Sequence, residues 1–325
     1  MSITFLVCFL TFVALMLALD LGVVNRKAHA ISVREALAWS VAWVSLAMLF
    51  NLGIYFFWAS ISPDSALGPR EAALAFFTGY VIEESLSMDN VFVFVLIFSY
   101  FRVPSIYQHR VLFWGVTGAI VMRGLMIGIG TTLVQQFEWI LYIFGAFLVF
   151  TGIRMALQKD ENPHPENNPL VRLARKFLPI APDYDGKRFW TRHQGRLMAT
   201  PLFLTLIVVE SSDLLFATDS IPAVFSITKD ATIVFTSNIF AIMGLRSMYF
   251  VLAGMVEKFH HLKTGLAVVL TFVGLKMLVE PWVHIGIPVS LAFIALALGG
   301  SIAASMLMPR PGPAAPDKQP PATRG

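Results

Sequence analysis

The sequence predicts an all-α, polytopic membrane protein of about nine transmembrane helices that contains two inverted three-helix repeats. Three observations carry this. Of 325 residues, 57% are hydrophobic and only 14% charged, whereas a typical soluble chain is about 25% charged. The apolar residues fall in long blocks, and a helix needs about 20 such residues to cross a bilayer. Acid, arginine and glycine landmarks also occur twice in the same order.

The blocks predict spans at roughly 3–25, 33–58, 72–100, 110–133, 137–157, 199–225, 231–254, 261–280 and 286–307. Residues 1–71 hold two N-terminal spans, and 72–157 form the first repeat. A basic loop follows at 158–198, with an amphipathic piece around Leu170 to Leu178. The second repeat covers 199–280, the last span 281–308, and a Pro-rich tail expected to be disordered 309–325. Ala28-His-Ala30 imitates a signal-peptide cleavage site. Arg26 and Lys27 follow the first apolar run instead of preceding it, however, so a retained first helix is expected.

Orientation follows from the loop cations. One side collects Arg26, Lys27, Arg34, Arg102, Arg110, those from Arg154 to Arg196, Lys258, Lys263, Arg310, Lys318 and Arg324; the other has Arg70 and Lys229. This asymmetry places the N-terminus outside and the C-terminus in the cytoplasm. The isoelectric point near 9.2 suits cationic loops against anionic lipid. Basic residues do not alternate with exposed aromatics, so nucleic acid is not expected as a partner. Cys8 is the single cysteine, which excludes an internal disulfide and cysteine-based zinc or redox motifs. The seven histidines are expected in loops or at helix ends.

The strongest motif is Glu210-Ser-Ser-Asp213-Leu-Leu-Phe-Ala-Thr-Asp219-Ser220-Ile-Pro222. A weaker copy is Glu83-Glu84-Ser-Leu-Ser-Met-Asp89-Asn90. Setting Asp89 on Asp219 puts Glu83 on Asp213 and Asn90 on Ser220. Farther on, Gly118 to Arg123 pairs with Ala241 to Arg246, and Phe137 to Met155 pairs with Phe259 to Met277 without a gap. Each copy holds three spans, so the second enters the membrane from the opposite side. Secondary transporters use such inverted repeats, with ion sites at the repeat interface on interrupted helices.

A carboxylate at mid-membrane costs about 2.5–3.5 kcal/mol on insertion scales. Glu83, Glu84, Asp89, Glu210, Asp213, Asp219 and Asp20 must therefore face a cation, protons, water or arginine. Structural salt bridges to Arg123 and Arg246 are the plainer reading. Two arginines cannot neutralise seven acids, and the surplus points to a bound cation or protons. Glu210 and Asp213 share a helix face, but Asp213 and Asp219 lie about 240° apart on an ideal helix. A break near Thr218 to Pro222 would re-aim Asp219; the alternative is that Pro222 only kinks the span. Asn238 and Ser220 read equally as ligands or interhelical hydrogen-bond partners, and Asp20 as a site member or an interfacial acid. The oxygen-only donor set suits magnesium, calcium or manganese, and the acids could carry protons once the metal leaves.

These residues resemble the TerC family of integral membrane proteins, and within it the Alx-like members. The resemblance rests on Glu83 with Ser85-Leu86, Asp89-Asn90-Val91-Phe92, Glu210-Ser-Ser-Asp213, Phe216-Ala217, Asp219-Ser220-Ile221-Pro222, Thr236-Ser-Asn238 and Gly244-Leu-Arg246. It extends from about residue 5 to 305. It implies Mn2+ export across the bacterial inner membrane, with metal on Glu83, Asp89, Asp213 and Asp219 and with Asn90, Glu210 and Ser220 near. Glu84 stands where close relatives can carry lysine. The expectation is a multi-pass cation exporter, not an enzyme, with no prosthetic group. Its partners would be lipid, a divalent metal and protons, and a homo-oligomer is compatible. A Ca2+ exporter, or a non-transporting factor that metallates exported proteins, is the alternative.

Overall fold

The computed structural model describes residues 3–19, 32–63, 65–137, 139–157, 176, 178–193, 196–252 and 261–307. Its helices are α1 (Ile3–Leu19), α2 (Val33–Ile61), α3 (Pro69–Tyr100), α4 (Ser105–Gln136), α5 (Ile140–Leu157), α6 (Pro201–Phe225), α7 (Ala231–Leu252), α8 (Leu262–Val279) and α9 (Ile287–Leu307). Six of them, α2, α4, α5, α6, α7 and α9, are long and apolar enough to cross a membrane. The helix α3 is 32 residues long, about 48 Å at 1.5 Å per residue. It carries Glu83 and Glu84 at its midpoint and Asp89 just beyond.

Local chemistry sets the helix starts. Ser32 accepts a hydrogen bond from the Glu35 amide at the head of α2, and Glu71 accepts one from the Gly68 amide ahead of α3. Asp230 accepts from the Thr232 and Ile233 amides at 2.9 and 3.3 Å and so caps α7. Prolines open α3 and α6, where a missing N–H costs nothing.

The helices pack mainly between the two expected copies. α3 packs against α7 and α6, α4 against α6 and α7, and α5 against α8. α5 and α8 run antiparallel and approach through glycine. A Cβ on Gly274 would lie 2.6 Å from the Gly145 carbonyl oxygen, and one on Gly152 would lie 2.8 Å from that of Ala267. Such closeness is how helices associate where lipid removes the hydrophobic drive. Around buried α7, Phe50, Phe76 and Phe240 gather with Phe9, the Phe50 and Phe240 rings lying 4.8 Å apart. They fasten α1 and α2 to the bundle.

Three points differ in detail from the expected layout. First, the fold is all-α as expected, but β1 (Trp190–His193) and β2 (Arg196–Ala199) form an antiparallel hairpin within the basic loop. The hairpin is held by apolar and backbone contacts. Trp190 meets Phe203 at 4.8 Å, the Arg110 guanidinium stacks 4.9 Å over Phe189, and Ala181 and Ala199 hydrogen-bond into the adjoining segment. Tyr184 donates to the Phe101 carbonyl at 2.6 Å; burial pushes this phenol up, which keeps it a donor. Second, α6 runs unbroken through Pro222. The proline removes only the bond to the Thr218 carbonyl, three residues before the helix ends, and the buried Ile221, Ala223, Val224 and Phe225 hold that turn in place. Third, α4 begins at Ser105, earlier than the expected start at 110, and His109 lies near that end of the helix. Asp20, the tail at 309–325 and, save Lys176 and Leu178, the amphipathic piece at 170–178 lie outside the described residues.

Candidate functional site

The site is built around Arg123, whose side chain is 0% exposed. It projects from α4 among acids and amides contributed by three other helices. Its Nε and Nη2 donate to Asp213 Oδ2 and Oδ1 of α6 at 3.2 and 2.9 Å. Its Nη1 pairs with Glu83 Oε1 of α3. The same nitrogen donates to Asn238 Oδ1 of α7 at 3.1 Å and to Ser220 Oγ of α6 at 3.3 Å. Asn238 closes the ring by donating through Nδ2 to Glu83 Oε2 at 2.8 Å. Bidentate arginine–carboxylate pairing is among the strongest of protein hydrogen bonds. The mutual attraction offsets part of the cost of removing two acids and a cation from water.

Helix geometry explains who takes part. Asp213 and Ser220 are seven residues apart on a continuous helix, so they share one face. Asp219, one residue earlier than Ser220, is rotated by about 100°. It lies half-buried against Thr151 of α5, away from the arginine. The structure therefore brings together Glu83, Asp213, Ser220, Asn238 and Arg123, and it does not bring Asp219 to them. Asn90 is buried on α3, two turns beyond Glu83. The backbone of Asp89 belongs to α3, but its side chain lies outside the described residues.

Two further acids flank the cluster. The Glu210 carboxylate lies against Gly118 of α4, where a Cβ would collide with it; its Oε2 is buried without a hydrogen-bond partner. Glu84 lies beside Tyr80, with Oε1 3.6 Å from a Cβ position on Gly244 of α7, and its Oε2 is likewise unpartnered. Arg246, buried on α7, reaches His109 Nε2 at 3.3 Å. A narrow gap beside Asp213 is lined by Phe94, Leu112, Gly115, Ala119, Val209 and Leu245. Among the described residues, no group of three or more His, Cys, Asp or Glu side chains is close enough to hold a metal.

Sequence reasoning missed Thr151 and Tyr80 as neighbours of Asp219 and Glu84, and His109 as a neighbour of Arg246. Thr151 carries a signal in hindsight, being a hydroxyl one residue before Gly152 on the face of α5 that packs closely. Tyr80 stands four residues before Glu84, one turn away on the same face.

A bundle of long apolar helices with a buried arginine–carboxylate cluster at its centre defines a polytopic integral membrane protein. The chain belongs to the TerC family: the profile described as "Integral membrane protein TerC family" matches residues 69–311. The membrane protein STKORF319 of Myxococcus xanthus, uncharacterised, is 52% identical over 305 residues, covering 94% of this chain and 92% of that protein. Alx of Escherichia coli K12, named as a candidate membrane-bound redox modulator, is 52% identical over 287 residues, 88% of this chain and 89% of Alx. An uncharacterised membrane protein of Rickettsia felis is 41% identical over 298 residues, 91% of this chain and 96% of its own length. No solved structure matches the chain.

Proposed function

We propose that this protein exports a divalent cation, with Mn2+ as the cargo, from the cytoplasm across the bacterial inner membrane. The carrying observation is that acids from both sequence copies, Glu83 of α3 and Asp213 of α6, converge on one buried cationic centre. The atoms around that centre are carboxylate, amide and hydroxyl oxygens, the donor set of a hard divalent ion. Asp219, Glu84 and Glu210 supply further acids around the cluster.

Alternating access of α3–α5 against α6–α8 supplies the motion. The α5–α8 contact supports it. In the ungapped alignment of the copies, Gly145 corresponds to Ala267 and Gly152 to Gly274. Gly145 meets Gly274, and Gly152 meets Ala267. A two-fold axis running between antiparallel helices, and hence in the membrane plane, generates that reciprocal pattern. The gap beside Asp213 is lined on α4 by residues that precede Arg123, on the side that the loop-charge bias makes cytoplasmic, with the N-terminus outside. Protons taken up by the acids as metal leaves would complete an exchange cycle.

The test is cell-associated manganese in cells loaded with Mn2+, at matched protein levels. The wild type should lower it, while Asp213→Asn and Asp219→Asn should not. Equal metal content in all three removes the export reading. Metallation of exported proteins without a change in cell metal would support the non-transporting alternative, and an effect on Ca2+ alone would support the calcium one.

A further inference from the structure

We propose that the Arg123 guanidinium is a tethered stand-in for the cargo. It fills the carboxylate cage when no metal is bound, leaves when metal arrives, and so lets the emptied carrier complete its cycle. This rests on the export reading above.

The coordination sphere is the first argument. Five oxygens surround the guanidinium: Glu83 Oε1, both Asp213 oxygens, Ser220 Oγ and Asn238 Oδ1. Oxygens gathered on one positive centre suit a hard cation as well as they suit an arginine. The helices that supply them belong to both repeats, so whichever cation sits there ties the repeats together.

Charge is the second argument. Glu83 and Asp213 bring two negative charges and Arg123 one positive. A vacated cage would leave two converging anions buried and unpaired, which is expensive. Arginine is always charged, so it neutralises the empty cage without taking up a proton. A divalent ion neutralises the same acids fully and therefore competes with it.

The third argument is a place to go. Side chains on a helix lean toward its N-terminus. In that direction along α4 lies Gly118, about 7.5 Å before Arg123. Because Gly118 has no side chain, the Glu210 carboxylate occupies the surface there, with Oε2 buried and unpartnered. The displaced guanidinium moves to Glu210, one turn of α6 from Asp213. Glu210 has no acidic counterpart in the first copy, and this assignment gives it a role.

The test uses the full-length protein in liposomes loaded with Mn2+. Net efflux into metal-free buffer is compared with exchange of internal radiolabelled Mn2+ for external Mn2+. Exchange never requires the empty carrier to cross, whereas net efflux does. Arg123→Gln should lower the ratio of net efflux to exchange by about tenfold or more. A ratio that falls by less, or loss of both fluxes in protein that elutes as wild type does, overturns the proposal. Where Arg123→Gln does not fold, Arg123→Lys carries the test because it keeps a cation. A ratio within about fivefold of wild type supports the stand-in role, and a greater drop overturns it. If wild-type protein moves no Mn2+ in either mode, the export reading itself fails. A wild type active in both modes with an unchanged Arg123→Gln ratio sinks the arginine role alone.

Discussion

Replacing Asp213 by asparagine tests the buried cluster at its tightest point. Asp213 is 3% exposed and accepts from both Nε and Nη2 of Arg123. Asparagine keeps the shape, but its one amide oxygen can satisfy only one of those donors. Its NH2 then faces the other, donor against donor, and the negative charge is gone. Breaking a buried ion pair from one side costs about 3–5 kcal/mol. Glu83 still neutralises part of the Arg123 charge, so the expected loss is near the lower end, about 3 kcal/mol. Asp219→Asn is the control. That acid lies half-buried against Thr151 and outside the arginine's reach, so its loss should be below about 1 kcal/mol. Thermal unfolding in detergent, followed by tryptophan fluorescence, should show a clearly larger fall for Asp213→Asn than for Asp219→Asn. The paired apolar variant Arg123→Met with Asp213→Leu should recover part of the loss, since matched apolar groups often replace a buried pair without penalty. An Asp213→Asn protein as stable as Asp219→Asn would refute the claim that the pair organises the bundle.

Other expectations follow from single contacts. Gly274→Leu should force α5 and α8 apart, since a Cβ alone would sit 2.6 Å from the Gly145 carbonyl; overpacking of this kind costs about 1–3 kcal/mol, and manganese efflux should fall with it. Asp230→Ala removes the cap of α7 and the bond from Ser65 at 2.7 Å, a loss of about 1–2 kcal/mol in the same unfolding assay. Trp190→Ala should free the 190–199 hairpin from Phe203 and appear as faster limited proteolysis there. Alkaline phosphatase fused after Lys229 should be active and a fusion in the 309–325 tail inactive, given the loop-charge bias; the reverse pattern would invert the topology.

Much of the helical layout was legible because membrane spans announce themselves by length. The helix blocks lie within a few residues of the expected ones, except where α4 starts earlier. Arg123, Glu83, Asp213, Ser220 and Asn238 were all visible as polar residues in apolar runs, and they meet at one point. Salt bridges to Arg123 were legible as one reading, but which acids would make them was not visible. These helices are apolar toward lipid and toward each other alike, so periodicity does not mark the inner face, and the sequence alone left Asp219 free to join Asp213. The fate of Pro222 was equally hidden. A proline three residues from a helix end breaks little, but only the burial of Val224 and Phe225 reveals that the last turn survives. The hairpin at 190–199 escaped notice because its rings pack on α4 and α6 rather than on its own alternating face.

The central claim is that the cage now held by Arg123 receives the metal. Anomalous scattering at the manganese edge, from crystals of the protein grown with Mn2+, locates that ion directly. The expected result is a peak bounded by Glu83 and Asp213, at the roughly 2.0–2.6 Å oxygen distances of hard divalent cations, with the Arg123 guanidinium displaced toward Glu210. A bound peak elsewhere, with Arg123 still paired to both acids, would contradict it.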